Sequence, residues 1–365
     1  MNRRIITVII FVLMAAFCRA QVDTTMTREE KQFADSIARL NTENRMIQES
    51  QEAYNAGIKL FESKKYDDAI RKFSEAVEKK PDFREAFQNR AVAYTALKKH
   101  KNAASDYAKV LEMDPGNGDI AFKIGEQLMA AEDYPGAATA YQKAAELNPK
   151  NHEALYYLGD VLFLQEKYTE AIEQFNKAIT LKMDYAFAWN DRGSCYRMLG
   201  KFTEALRDYN KAVLLDPRLA FVHNNIGSTK KKMEDYMDAV SACSKAIQID
   251  PEFYLAYNNR GTIFFLQGKF PQAIADFDKT ISINPKYAMA YNNRGSVKFK
   301  MEKYTEAIKD FDEAIKLDPN YAAAYLNRGI AKEMARDAEG ACADWQKAWE
   351  MGIEQGKKYL MNDCN

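Results

Sequence analysis

Carboxamide side chains recur in this 365-residue chain at a spacing suited to holding a polypeptide. Asn225, Asn259, Asn293 and Asn327 stand 34 residues apart, with Asn190, Asn224, Asn258 and Asn292 in a parallel row. Asn55 and Asn89 hold the first of these positions near the start of the chain. A carboxamide donates and accepts, so one per repeat could pair with successive peptide groups of a bound strand. The alternative use is a bond to a neighbouring helix. Lys123, Tyr157 and Asp191 interrupt the row. Other candidate contacts flank it. Glu85, Asp119, Glu126, Glu153 and Asp160 accompany Phe122, Tyr156, Tyr157 and Phe163, while Phe187, Phe221, Leu255 and Met289 accompany Arg197, Lys231, Lys232 and Lys300. An acidic, aromatic stretch followed by an apolar, basic one would set the direction of a bound chain. A run such as Lys230-Lys231-Lys232 is otherwise read as a solvated face.

Other chemistries find little support. The three histidines, His100, His152 and His223, cannot build a histidine-rich metal centre. There is no phosphate-binding glycine loop and no serine–histidine–acid arrangement. Lysine plus arginine equals aspartate plus glutamate at 52 each, and removing residues 1–20 takes away three arginines and no acid. The remaining balance of 49 against 52 argues against a nucleic-acid binder. No catalytic residue, cofactor or metal is expected.

The elements that position these residues follow from a fixed period. Alanines stand at 69, 103, 137, 171, 205, 239, 273, 307 and 341, each with glycine or alanine twelve residues earlier. Twelve residues later comes proline in seven of nine units, with Met183 and Ile353 as exceptions. Within a unit, Tyr257, Gly261 and Phe264 share one helical face, and Ala273, Phe277 and Thr280 share another. Two antiparallel helices result, crossing closely where the small residues meet. One pair cannot bury its apolar face alone, so the units must stack.

The pattern Tyr257…Gly261…Phe264…Ala273…Phe277…Pro285 resembles the tetratricopeptide repeat family. The resemblance covers residues 50–355 as nine units: 50–83, 84–117, 118–151, 152–185, 186–219, 220–253, 254–287, 288–321 and 322–355. It implies an all-α fold, a right-handed α-solenoid superhelix whose first helices line a concave groove. It also implies a non-catalytic scaffold or adaptor binding a protein or peptide, with Asn89, Asn190, Asn224, Asn225, Asn258, Asn259, Asn292, Asn293, Asn327, Lys231, Lys232, Lys300, Tyr156, Phe187 and Phe221 in the groove. The asparagine row is similar to the ladder with which some family members hold extended polypeptides. The family's clamp for chaperone C-termini is not matched, because Tyr54, Gln88, Phe122 and Tyr156 stand where it needs lysine. Rival expectations are a structural or self-associating role through the convex face or caps, and a holdase chaperone.

Some charges belong to the scaffold. Arg90, Arg192, Arg260, Arg294 and Arg328 each have an aspartate sixteen residues on, at 106, 208, 276, 310 and 344. The four units lacking the arginine also lack the aspartate. The pairing predicts an ion pair between the two helices of one unit. Of the cysteines, Cys243 takes the place of a core aromatic. Nine residues up one helix and eleven back bring Cys364 near Cys342, which predicts a disulfide stapling the C-terminal cap at 356–365.

At the start, Met1 to Ala20 has a basic head, an apolar run from Ile5 to Phe17 and Cys18-Arg19-Ala20. That is a signal-peptide layout, with thirteen apolar residues too short for a membrane span. It predicts export, most simply to the periplasm of a Gram-negative envelope, with outer-membrane association, lipidation of Cys18 or secretion as alternatives. Thr27-Arg28-Glu29-Glu30 reads as a capping box opening a helix in 21–49. Its apolar face, Phe33, Ile37 and Leu40, would cover the first repeat or pair with a second copy.

Overall fold

A computed structural model describes residues 27–364; the signal-peptide segment lies outside the described residues. It contains nineteen helices and no strand among the described residues. Contacts divide the chain after Pro149 into two units. The first contains α1 (Arg28–Glu62), α2 (Tyr66–Lys79), α3 (Arg84–Ala96), α4 (His100–Met113), α5 (Gly118–Ala130) and α6 (Tyr134–Leu147). The second opens with α7 (His152–Leu164), α8 (Tyr168–Leu181), α9 (Ala186–Met198), α10 (Phe202–Leu215), α11 (Ala220–Lys232) and α12 (Tyr236–Ile249). It continues with α13 (Tyr254–Leu266), α14 (Phe270–Ile283), α15 (Ala288–Lys300), α16 (Tyr304–Leu317), α17 (Ala322–Met334), α18 (Ala338–Glu350) and α19 (Glu354–Asp363).

Each repeat is one helix pair, and within each unit successive pairs stack in tandem. The core is built at the helix crossing. Phe73, Tyr107 and Tyr141 are buried in the first unit, and Phe175, Tyr209, Phe277, Phe311 and Trp345 in the second. The small residue opposite is required by space: a Cβ on Gly57 would lie 2.6 Å from Phe73 Cε1. In repeat six the aromatic is replaced by Cys243, a free and fully buried thiol that burial pushes up to about 12. Pro135 and Pro271 sit in the first turn of α6 and α14, where no backbone N–H is needed.

The turn inside each repeat is the same nine times. The residues at 64, 98, 132, 166, 200, 234, 268, 302 and 336 all have φ between 57° and 73°. Around each, two backbone bonds close the helix end; for α1 these are Lys64 N–H to Phe61 O at 2.8 Å and Lys65 N–H to Leu60 O at 2.9 Å. That is the Schellman pairing, which needs a left-handed residue. Glycine holds the position only at Gly200 and Gly268.

The ends differ from one another. At the C-terminus α19 folds back on α18, with Tyr359 stacked on Trp345 at 4.9 Å. Gly356 is buried there, since a Cβ would lie 2.6 Å from Trp345 O. Cys342 and Cys364 are joined as a disulfide across Cα atoms 5.8 Å apart. At the N-terminus the expected capping box forms at Thr27 with Glu30. The helix it opens is not a separate cap, however. It runs unbroken through Glu62 as the first helix of repeat one, and every residue from 27 to 48 is exposed. Covering of the first repeat by Phe33, Ile37 and Leu40 is not observed, because α1 runs on unbroken into repeat one and leaves all three side chains exposed.

Candidate functional site

The five arginines predicted to be structural each make a two-pronged bond to the aspartate sixteen residues on. Arg90 Nε and Nη2 donate to the two Asp106 oxygens, both at 2.7 Å, and Arg192, Arg260, Arg294 and Arg328 repeat the geometry with Asp208, Asp276, Asp310 and Asp344. All five aspartates are buried. The third prong was not foreseen. Each Nη1 reaches back sixteen residues to the second helix of the preceding repeat, onto Ser74, Asn176, Ser244, Asp278 and Asp312. One guanidinium thereby ties three helices, which removes these residues from any ligand site. An open cleft of about 580 Å³ beside α9 and α10 uses Trp189, Arg192, Asp208 and Lys211 as walls, so it belongs to the same framework.

The carboxamides also bond to one another. Asn225 donates to Asn190 Oδ1 at 3.0 Å, Asn259 to Asn224 at 2.8 Å, Asn293 to Asn258 at 3.0 Å and Asn327 to Asn292 at 2.9 Å. Asn190, Asn224, Asn258 and Asn292 are buried as the acceptors. The donors are half-buried, each with a second amide hydrogen beyond the one so used. In the first unit Asn89 donates to Tyr54 Oη at 2.8 Å. The spacing is 35 residues, linking one position to the next position of the following repeat. The interruption at Asp191 keeps this connection in another chemistry: Tyr156 Oη donates to Asp191 Oδ2 at 2.7 Å, and Asn190 to Asp191 Oδ1 at 2.8 Å. The bond to a neighbouring helix, the alternative use of these carboxamides, is thus present at Asn225, Asn259, Asn293 and Asn327.

Around this row the second unit gathers groups that the scaffold leaves less engaged. Phe187 is 44% exposed and stacks on Phe221 at 5.9 Å; Met289, also 44% exposed, holds the same position three repeats beyond Phe187. Beside them burial lifts the Asp191 carboxyl to about 6, with Asp160 adding to the rise and the bonds from Tyr156 and Asn190 opposing it. Burial raises Asp160 as well. Tyr156 packs edge-on against Tyr157 and Tyr185, and burial raises its phenol strongly. Cys195 is buried in α9, and its thiol is pushed up to about 12 by burial, then by Asp191. On α11, Lys230 bridges Asp235 and Asp238, whereas Lys231 and Lys232 make no salt bridge among the described residues. Burial lowers the half-buried Lys231 ammonium, with Lys232 and Arg197 adding and Cys243 opposing. Lys300 is exposed at the end of α15. Among the described residues, no cluster of histidine, cysteine, aspartate or glutamate could hold a metal ion.

Comparison with known proteins adds the family. Models described as tetratricopeptide repeat match residues 54–118 and 122–186, residues 186–219, 254–287 and 288–321, and residues 222–253. The mitochondrial import receptor subunit TOM70 of Homo sapiens is 38% identical over 74 residues, 19% of this chain and 12% of that protein. The Hsp70-Hsp90 organizing protein 2 of Arabidopsis thaliana is 33% identical over 92 residues, 22% of this chain and 16% of that protein. Among solved structures, a tetratricopeptide repeat protein from Parabacteroides merdae superposes with a TM-score of 0.56 at 23% identity, covering 68% of this chain and 99% of that one. The APC/C hetero-tetramer Cut9-Hcn1 gives 0.58 at 16% identity, covering 81% of this chain and 59% of the matched one. At these identities the likeness is one of fold.

Proposed function

The chain belongs to the tetratricopeptide repeat family, and on that premise we propose that it is a non-catalytic interaction scaffold that takes an extended polypeptide along the first-helix face of its second unit. The observation that carries this reading is the set of exposed Phe187, half-buried Phe221 stacked on it, and exposed Met289 beside the half-buried carboxamides Asn225, Asn259, Asn293 and Asn327. Apolar anchors supply affinity, and the remaining amide hydrogens and carbonyl lone pairs meet a peptide backbone. Lys231, Lys232 and Lys300 give this face a cationic end, while Glu153, Asp160 and Asp191 give it an acidic one. A ligand chain with basic residues toward α7 and acidic residues toward α15 matches both. The signal-like start supports a place in the cell envelope for this scaffold, reached by export.

The inter-repeat bonds decide how to test it. Replacing Asn225, Asn259, Asn293 and Asn327 by alanine removes framework bonds together with any ligand bonds, so loss of binding there is ambiguous. Phe187→Ala with Phe221→Ala and Lys232→Glu touch the surface and leave the asparagine bonds in place. Crosslinking capture from envelope extract should lose the same few proteins in both surface variants while their circular dichroism is unchanged. Capture that is equal for wild type and variants would refute the groove reading.

A further inference from the structure

We propose that the free N-terminal half of α1 pairs with the same segment of a second copy as a parallel two-stranded coiled coil. Phe33, Ile37, Leu40, Asn44 and Ile47 follow one another at steps of four, three, four and three residues. That is the spacing of a coiled-coil seam, with Phe33, Leu40 and Ile47 at d and Ile37 and Asn44 at a. All lie on one continuous helix capped at Thr27. No described residue covers the seam: Phe33 is 69% exposed, Leu40 52% and Ile47 45%.

Three features select this partner over others. The seam is self-complementary, since a packs on a and d on d when two copies run in parallel and in register. Its polar member is an asparagine at a, where two copies meet amide to amide. An antiparallel pair would set Asn44 against an apolar d residue, leaving a buried carboxamide unmatched. The charges complete the pattern. Lys31, Asp35, Arg39, Arg45 and Glu49 occupy the outward b, c and f positions. The flanking contacts between parallel copies become Ser36 with Asn41 and Glu43 with Gln48, so no like charges oppose each other along the flanks from Phe33 to Ile47, and the a position before them, Glu30, is held by the capping box with Thr27. A membrane-surface helix would instead concentrate lysine and arginine along its polar face, whereas here acids and bases alternate. At the centre of the seam, Ile37 at a beside Leu40 at d is the two-strand combination, and the single asparagine at a fixes the register. Both chains then leave the coil at the same end and enter their first repeats side by side, which makes the molecule bivalent. The pairing is independent of the groove reading.

The test uses the chain from Gln21 onward, which contains every described helix. Sedimentation equilibrium at micromolar concentration should give twice the mass of one chain. Ile37→Glu with Leu40→Glu should halve it with helix content unchanged, because those side chains touch no repeat. Asn44→Cys should crosslink into a covalent dimer under mild oxidation, and Arg39→Cys, on the outer face, should not. A monomeric wild type, or a dimer that survives the double glutamate variant, overturns the proposal. A dimer in which Asn44→Cys fails to crosslink overturns the parallel register. Seam-dependent binding of a monomer to phosphatidylcholine–phosphatidylglycerol vesicles assigns the face to lipid instead. A full-length chain that is monomeric while the shorter one dimerises assigns it to residues 1–26.

Discussion

Asp191 stands where six other repeats carry asparagine, and it is the ionisable group whose environment most affects the row. Its carboxyl is raised to about 6 from an unfolded value near 3.8. Because the folded state holds the proton more tightly, folding is indifferent to this group at low pH. It is progressively penalised as pH rises from about 4 through 6. Asp191→Asn keeps an acceptor for Tyr156 and removes the charge. It should therefore stabilise the second unit at pH 7 by about 1–3 kcal/mol and have no stabilising effect below pH 4. Thermal melts of both proteins at the two pH values check this; a pH-independent difference would contradict the assignment. The arginine clamps act in the opposite sense. Arg260→Ala leaves Asp276 buried without its partner and should cost about 2–4 kcal/mol, read from urea unfolding. Sequence made that pair legible because arginine and aspartate appear and disappear together across nine units. The amide pairs left a weaker trace. They join positions 35 residues apart, so a reading in steps of 34 sees two parallel rows of asparagine rather than one set of bonds.

The helix pairs were readable as elements from the alanine and proline period, and their lengths follow from two signals: the crossing glycine and the left-handed turn. The turn itself was not legible, because charged residues fill it in most repeats. Lys64, Lys98, Glu132, Glu166, Glu234, Glu302 and Arg336 adopt a backbone that favours glycine. Glu302→Gly should accordingly stabilise repeat eight by about 0.5–1 kcal/mol, and Gly268→Ala should destabilise repeat seven by about 1 kcal/mol. The latter change meets no atom within 4 Å, so its whole effect is conformational. Calorimetry of the two variants separates this from packing. The fate of α1 was unreadable for another reason. An amphipathic face states that something covers it, and the identity of the cover depends on where the helix points.

Over the whole molecule, stability in a stacked array is a sum of units and their junctions, so the ends matter more than the middle. The Cys342–Cys364 disulfide closes a loop of about 23 residues, which on loop entropy is worth about 3 kcal/mol. Cys364→Ser should raise hydrogen exchange in α18 and α19 by about two orders of magnitude and leave α7 to α12 unchanged. Uniform exchange across all these helices would show that the end is not a separate cooperative element.

The clamps are distributed unevenly, and this gives the array a mechanical character. Within the second unit, repeats five, seven, eight and nine each have a guanidinium tying three helices, whereas repeats four and six have Leu158 and Ile226 in that place, and of these two repeat four keeps an aromatic, Phe175, at its crossing while repeat six has Cys243 there. Stretched between its ends, this unit should lengthen first at repeat six, a built-in weak link. The clamped repeats on either side would hold until the load rises further.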